Sequence, residues 1–142
     1  MINIINVNFL AVLVSAIASM IVGFAWYNKA FFGNEWMKLK GYTDKSMKEA
    51  QKEMGKLYGL SFAGGLVMAY VLSHVMTLSA NFYSYVPLQT GLTTAFWMWL
   101  GFILPVQMTN TIFGDKKWKL LAIDTGYQLA SVLVMGAVLG LL

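Results

Sequence analysis

The stretch KAFFGNEWMKLKGYTDKSMKEAQKEMGK, residues 29–56, holds seven of the chain's ten lysines. The other three fall between Lys116 and Lys119, and arginine is absent. Outside these two basic clusters the chain is almost entirely apolar. Four runs are long enough to span a bilayer: about 9–27, 57–79, 88–109 and 120–142. Each is close to the roughly 20 residues that a 30 Å hydrocarbon core requires. Basic loops stay on the cytoplasmic side of a membrane. Both clusters separate odd-numbered from even-numbered spans, so the pattern places both loops inside and both termini outside. The connection Ala80–Pro87 carries no formal charge, as an external loop should. The reading is an all-α, integral membrane four-helix bundle, one domain over residues 1–142.

Composition supports this. Charged residues are 11% of the chain, against roughly a quarter in soluble domains. The net charge of +4 does not point to nucleic acid, because the lysines border the spans and are interleaved with acids. Membrane lipids are the expected partner, at roughly 1 kcal/mol per lysine near an anionic surface. There is no cysteine, which excludes disulfides, thiolate metal sites and cysteine nucleophiles. The first run is not expected to be a signal peptide, since Met1–Asn8 lacks the basic n-region one needs.

Within the basic stretch, Ser46 and Glu49 have the spacing of a capping box, and a helix is expected from about Asp44. Met47, Ala50, Met54 and Leu57 recur at helical spacing along it. That helix either runs into span two or lies on the membrane surface, with Gly55 and Gly59 as bending points.

Small residues at four-residue spacing mark contact faces, because helices in lipid associate by close backbone approach. Span one has Ala11, Ser15, Ser19 and Gly23. Span two has Gly65, Ala69 and Ser73, and span four has Gly136 and Gly140. These faces are expected to be seams of the bundle or of a homo-oligomer. Bulky replacement of Ser19 and Gly23 should disrupt it, while replacement of Val12 and Ile21 should be mild.

Polar residues at membrane depth are the candidates for a binding site. Asp124, Gln128 and Ser131 share one face of span four. Thr90, Thr93, Thr94, Gln107, Thr109 and Asn110 lie on span three. Asp124 is roughly 6–9 Å past Lys119 by helical rise, near the basic border. His74, the only histidine, differs from it by roughly 15 Å in depth, so the two cannot pair directly. Asp124, Gln128, Thr94, Gln107, Asn110 and His74 are the candidate binding residues. No catalytic set, metal site or cofactor is expected, and hence no enzyme. Pro105 should kink span three. Trp26, Tyr27, Trp36 and Trp118 should lie at the basic border, and Phe82, Tyr83 and Tyr85 at the other. Trp97 and Trp99, mid-span, point to different sides.

The order of landmarks resembles a known family. Asn8–Val12 opens span one and Trp26–Tyr27 closes it, followed by Phe32–Gly33 and Trp36. Then come Trp99–Phe102, Pro105, Asn110–Phe113, Ile123–Tyr127 and Met135–Gly136. The chain is similar to a widespread prokaryotic family of small four-span membrane proteins without assigned function. The resemblance implies a multi-pass protein of a prokaryotic plasma membrane and supplies no activity. Similar sequences often carry Asn where this chain has Asp124, which implies that a charge there is dispensable. The expected role is binding or assembly within the membrane. The alternative is small-solute or cation/proton-coupled transport using the Asp124 face of span four.

Overall fold

A computed structural model describes residues 6–142. Its helices are α1 (Phe9–Trp26), α2 (Gly33–Lys40), α3 (Asp44–Gln51), α4 (Met54–Tyr83), α5 (Pro87–Met98), α6 (Leu104–Phe113) and α7 (Trp118–Leu141). A π-helical turn, Trp99–Ile103, joins α5 to α6. Among the described residues there is no strand. Four helices are long and apolar enough to cross a membrane: α1, α4, the α5–α6 run and α7. They match the four expected runs, although α4 begins earlier and ends later and the α5–α6 run continues to Phe113. The position expected for the N-terminal tail concerns residues 1–5, outside the described residues.

Helices α1, α4, α5 and α7 form a four-membered bundle. α7 packs against α5 and α1, α4 packs against α1 and α5, and α4 also reaches α7. Neighbours run antiparallel, so one end of the bundle gathers both lysine clusters. We call this the lysine end.

The core is made of small side chains. Ala16, Ala69 and Ala95 are fully buried, with Val12, Leu72, Met76, Val132 and Met135 around them. Large apolar residues point outward instead, for example Trp97 (65% exposed) and Phe102 (69%). Such a shell would be an unusually large apolar patch in water. It is the arrangement expected where lipid is the solvent and backbones must approach closely.

The small-residue seams are used inside the chain. Ala11, Ser15 and Ser19 are buried, and the Ser15 hydroxyl donates to the Met135 carbonyl at 3.5 Å. A Cβ on Gly65 would touch Ser19 and Ala16. The tightest approach joins Gly91 to Gly136, where a Cβ on either would collide with the other's carbonyl. Gly91 is a seam residue that the sequence reading did not pick out. Val12 is also buried (5% exposed), so its replacement is not the mild change expected, whereas Ile21 is exposed.

Chain ends and breaks follow local chemistry. Asn8 caps α1 by accepting from the Ala11 amide at 3.1 Å. Its side-chain amide also donates to the Leu142 carbonyl, tying the start of α1 to the end of α7. The expected capping box is one turn earlier than Ser46/Glu49. Thr43 is the N-cap, and Ser46 completes the box. Helix α3 does start at Asp44, but the chain breaks at Lys52–Glu53, before Gly55, so α3 and α4 are separate. α2 ends at Gly41, whose φ of 75° suits a residue without Cβ.

Pro105 acts upstream of itself. It has no N–H, and its ring crowds the carbonyl four residues before. The backbone responds by widening, and the Leu104 amide donates to the Trp99 carbonyl, one residue beyond α-helical spacing.

Candidate functional site

Several of the landmarks scattered along the sequence meet towards the lysine end. Tyr27, at the end of α1, donates its hydroxyl to Asp124 Oδ1 at 2.7 Å. Trp26 donates its indole N–H to the Ile123 carbonyl at 3.0 Å, and Trp99 donates to the Thr125 carbonyl at 2.9 Å. Three aromatic donors, two from the end of span one and one from the π-helical turn of span three, thus bind one turn of α7. The Tyr27 ring meets Tyr127 and Trp36 edge-on, with centroids 5.2 and 5.4 Å apart. Such contacts hold rings in place beyond their area burial. Space for them comes from absent side chains. A Cβ on Gly126 would lie 2.9 Å from Trp26, and one on Gly23 would lie 3.2 Å from the Tyr127 hydroxyl.

Next to this junction lies a cavity of about 460 Å³. This falls within the ~300–1,000 Å³ typical of small-molecule sites. α1 and α4 touch at Ser19 and Gly65, and nearer the lysine end nothing lies within 4 Å of where a Cβ on Gly55 or Gly59 would sit. Met20, Phe24, Leu57 and Ser61 line the space between them, Tyr127 of α7 forms one wall, and α2 and α3 form the cap. The cap contributes Trp36, Met37, Met47 and Ala50. The lining is dominated by methionine and aromatic side chains, adaptable and apolar. Phe24 and Tyr58 meet edge-on at 5.2 Å where the cavity borders the outer surface.

The cap is tied to the second lysine cluster. Lys119 pairs with Glu35 of α2 at 2.7 Å, and Lys117 donates to the Leu39 carbonyl at 2.6 Å. The hydrogen bond from Lys119, with its charge, holds the exposed Glu35 carboxyl below the usual carboxylate range.

The six residues expected from sequence do not form one site. Asp124 is half-buried and bonded to Tyr27, not to its own-helix neighbours Gln128 and Thr125. The Thr125 hydroxyl instead donates back to the Leu121 carbonyl. Gln128 is half-buried on α7, Gln107 is half-buried in the first half of α6, and Asn110 is exposed nearer its end. Thr94 is buried in the α5 core face with its hydroxyl unpartnered among the described residues. His74 lies on α4 against Tyr70, centroids 4.7 Å apart, with Nε2 likewise unpartnered. Thr90, Thr93 and Thr109 bond to carbonyls of their own helices.

The cavity was not apparent from polarity, because it has little. Its one sequence signal was the apolar spacing of Met47, Ala50, Met54 and Leu57, which leads from the basic stretch into span two. All four line it.

No curated protein and no solved structure matches the chain. One family does. Its model, described as "Protein of unknown function (DUF1761)", matches residues 10–140, a stretch that takes in nearly every landmark of the lysine-end junction, and the chain belongs to that family.

Proposed function

We propose that this chain is a multi-pass protein of a prokaryotic plasma membrane that binds a small apolar molecule beneath α2 and α3. Its lysine end faces the cytoplasm, and its termini face outward. The cavity carries this reading. Alanine, glycine and serine contacts bring the helices together along the seams, yet here residues of α1 and α4 with methionines and aromatic rings surround open space. The lining has no acid, base or histidine, which favours binding without catalysis. Binding is favoured over assembly because the chain's own helices fill its small-residue seams.

A neutral, apolar photoreactive reagent, 3-trifluoromethyl-3-phenyldiazirine, tests this in lipid nanodiscs. It should label Met37 and Met47 of the cap saturably. Ser61→Phe, which fills the cavity, should remove that labelling, while Leu60→Phe, at a neighbouring position that does not line it, should not. Cap residues that stay unlabelled, or label without saturation, would contradict the reading.

Solute or cation transport is the second reading, favoured by one observation: Tyr27, which binds Asp124, also lines the cavity. Asp124→Asn separates the two. Transport predicts loss of proton- or cation-linked flux in proteoliposomes with cavity labelling intact. Binding alone predicts no linked flux in either protein.

A further inference from the structure

We propose that the cavity holds one acyl chain of an anionic membrane phospholipid, whose headgroup rests among the lysines of α2 and α3. The inference rests on the binding reading above and names its ligand.

The walls suit a lipid tail. Phe24, Leu57 and Tyr58 line the cavity and are also exposed on the outer faces of α1 and α4. In a bilayer those faces meet lipid, so the Phe24–Tyr58 edge is a side entrance from the membrane. A tail entering there leaves its headgroup at the level of Trp26 and Tyr27, where amphipathic rings mark the interface.

The cap suits an anionic headgroup. α3 turns Met47 and Ala50 to the cavity, with Lys48 on the adjoining face. That is the pattern of a helix lying in a membrane interface. Between Lys38 and Lys56 there are six lysines and three acids, a surplus of three positive charges. Among the described residues, none of those acids forms an ion pair; Glu35 is the one acid that does. The Lys40 ammonium lies 5.5 Å from the Trp36 ring centroid, beside the cavity wall. Long lysine stems can cover an apolar tail while their ammonium groups reach phosphate.

Other ligand classes fit less well. A small soluble anion has no use for methionine and aromatic walls. An organic cation would favour the rings, but would meet the surplus positive charge at the rim.

The test places the full chain in nanodiscs with trace phosphatidylglycerol carrying a diazirine in one acyl chain. A matched phosphatidylcholine probe serves as the neutral comparison. Peptide mass spectrometry reads labelling at Met37 and Met47 relative to the exposed Phe102. That ratio should be at least about fivefold higher for phosphatidylglycerol, and Lys40→Gln or Lys48→Gln should each lower it by up to about fivefold. Ser61→Phe should abolish it, and Leu60→Phe should leave it. If Ser61→Phe does not fold, the headgroup comparison in the native chain still decides. Equal cavity labelling by both headgroups would overturn the anionic-lipid inference while leaving apolar binding intact. A photoreactive free fatty acid that displaces the phospholipid would overturn it in favour of a free acid. Loss of the neutral reagent's labelling as well would mean the binding reading itself had failed.

Discussion

Tyr27 and Asp124 show how much a single residue's role depends on its partner. A carboxylate at membrane depth, read alone, suggests titration or cation binding. Bonded to a phenol 97 residues earlier in the chain, it becomes part of the joint that closes α1 on α7. The joint predicts an order of stability. Asp124→Asn keeps an acceptor for the Tyr27 hydroxyl and should cost under about 1 kcal/mol. Asp124→Leu leaves that hydroxyl unpaired, and Tyr27→Phe leaves the carboxylate without its donor. Each should cost about 1–3 kcal/mol. Thermal unfolding in a mild detergent would read the order, and Asp124→Asn as the most damaging of the three would contradict it. Asp124 and the aromatic residues were visible in the sequence, and so was their closeness to the basic border. Their pairing was not, because a hydrogen bond between the end of one span and the start of another leaves no periodic trace. Gln128, Thr94, Gln107, Asn110 and His74 stood out for polarity alone, and the fold disperses them.

At the scale of elements, the seams were legible because small residues repeat every four positions. The Gly91–Gly136 contact shows the limit: Gly91 and Ala95 do repeat at that spacing in α5, but the threonines and glutamine around them drew attention to polarity instead. Gly136→Leu should force α5 from α7 and destabilise the fold by at least ~1–3 kcal/mol. Gly64→Ala, at a position open on all sides, should be neutral or slightly stabilising. Equal losses in chemical or thermal unfolding would remove the basis for the seam. Pro105 was legible as a disturbance, but not as a π-helical turn upstream of it, where Trp99 bonds to α7. The cap has its own pH signature. Glu35 has a depressed pKa when α2 is docked, so its contribution is present above the ordinary carboxylate pKa. It is lost as pH falls through the lowered value. Limited proteolysis between α2 and α3 should therefore quicken modestly on acidification. Glu35→Gln should cleave at the faster rate already at neutral pH and lose that part of the pH dependence. The same acid response in Glu35→Gln as in the native chain would contradict the anchor.

At the scale of the whole molecule, the lysine pattern and the four apolar runs gave the bundle, and the structure adds what the lysine end encloses. That part resisted sequence reading because the cavity borrows residues from α1, α2, α3, α4 and α7, and only α3 advertises its inner face by spacing. The proposed topology and the proposed binding site meet at the lysine end, placed in the cytoplasm with an apolar cavity reachable from the membrane. Because the native chain has no cysteine, single cysteines at Ser84, Ser46 and Ser61 test both halves in one experiment on whole cells. An impermeant maleimide applied outside should label position 84 alone and reach 46 only after permeabilisation. Position 61 should resist that reagent throughout and react with a small apolar maleimide, and prior loading of the cavity with 3-trifluoromethyl-3-phenyldiazirine should block it. Labelling of position 46 from outside, or of position 61 by the impermeant reagent, would contradict the account.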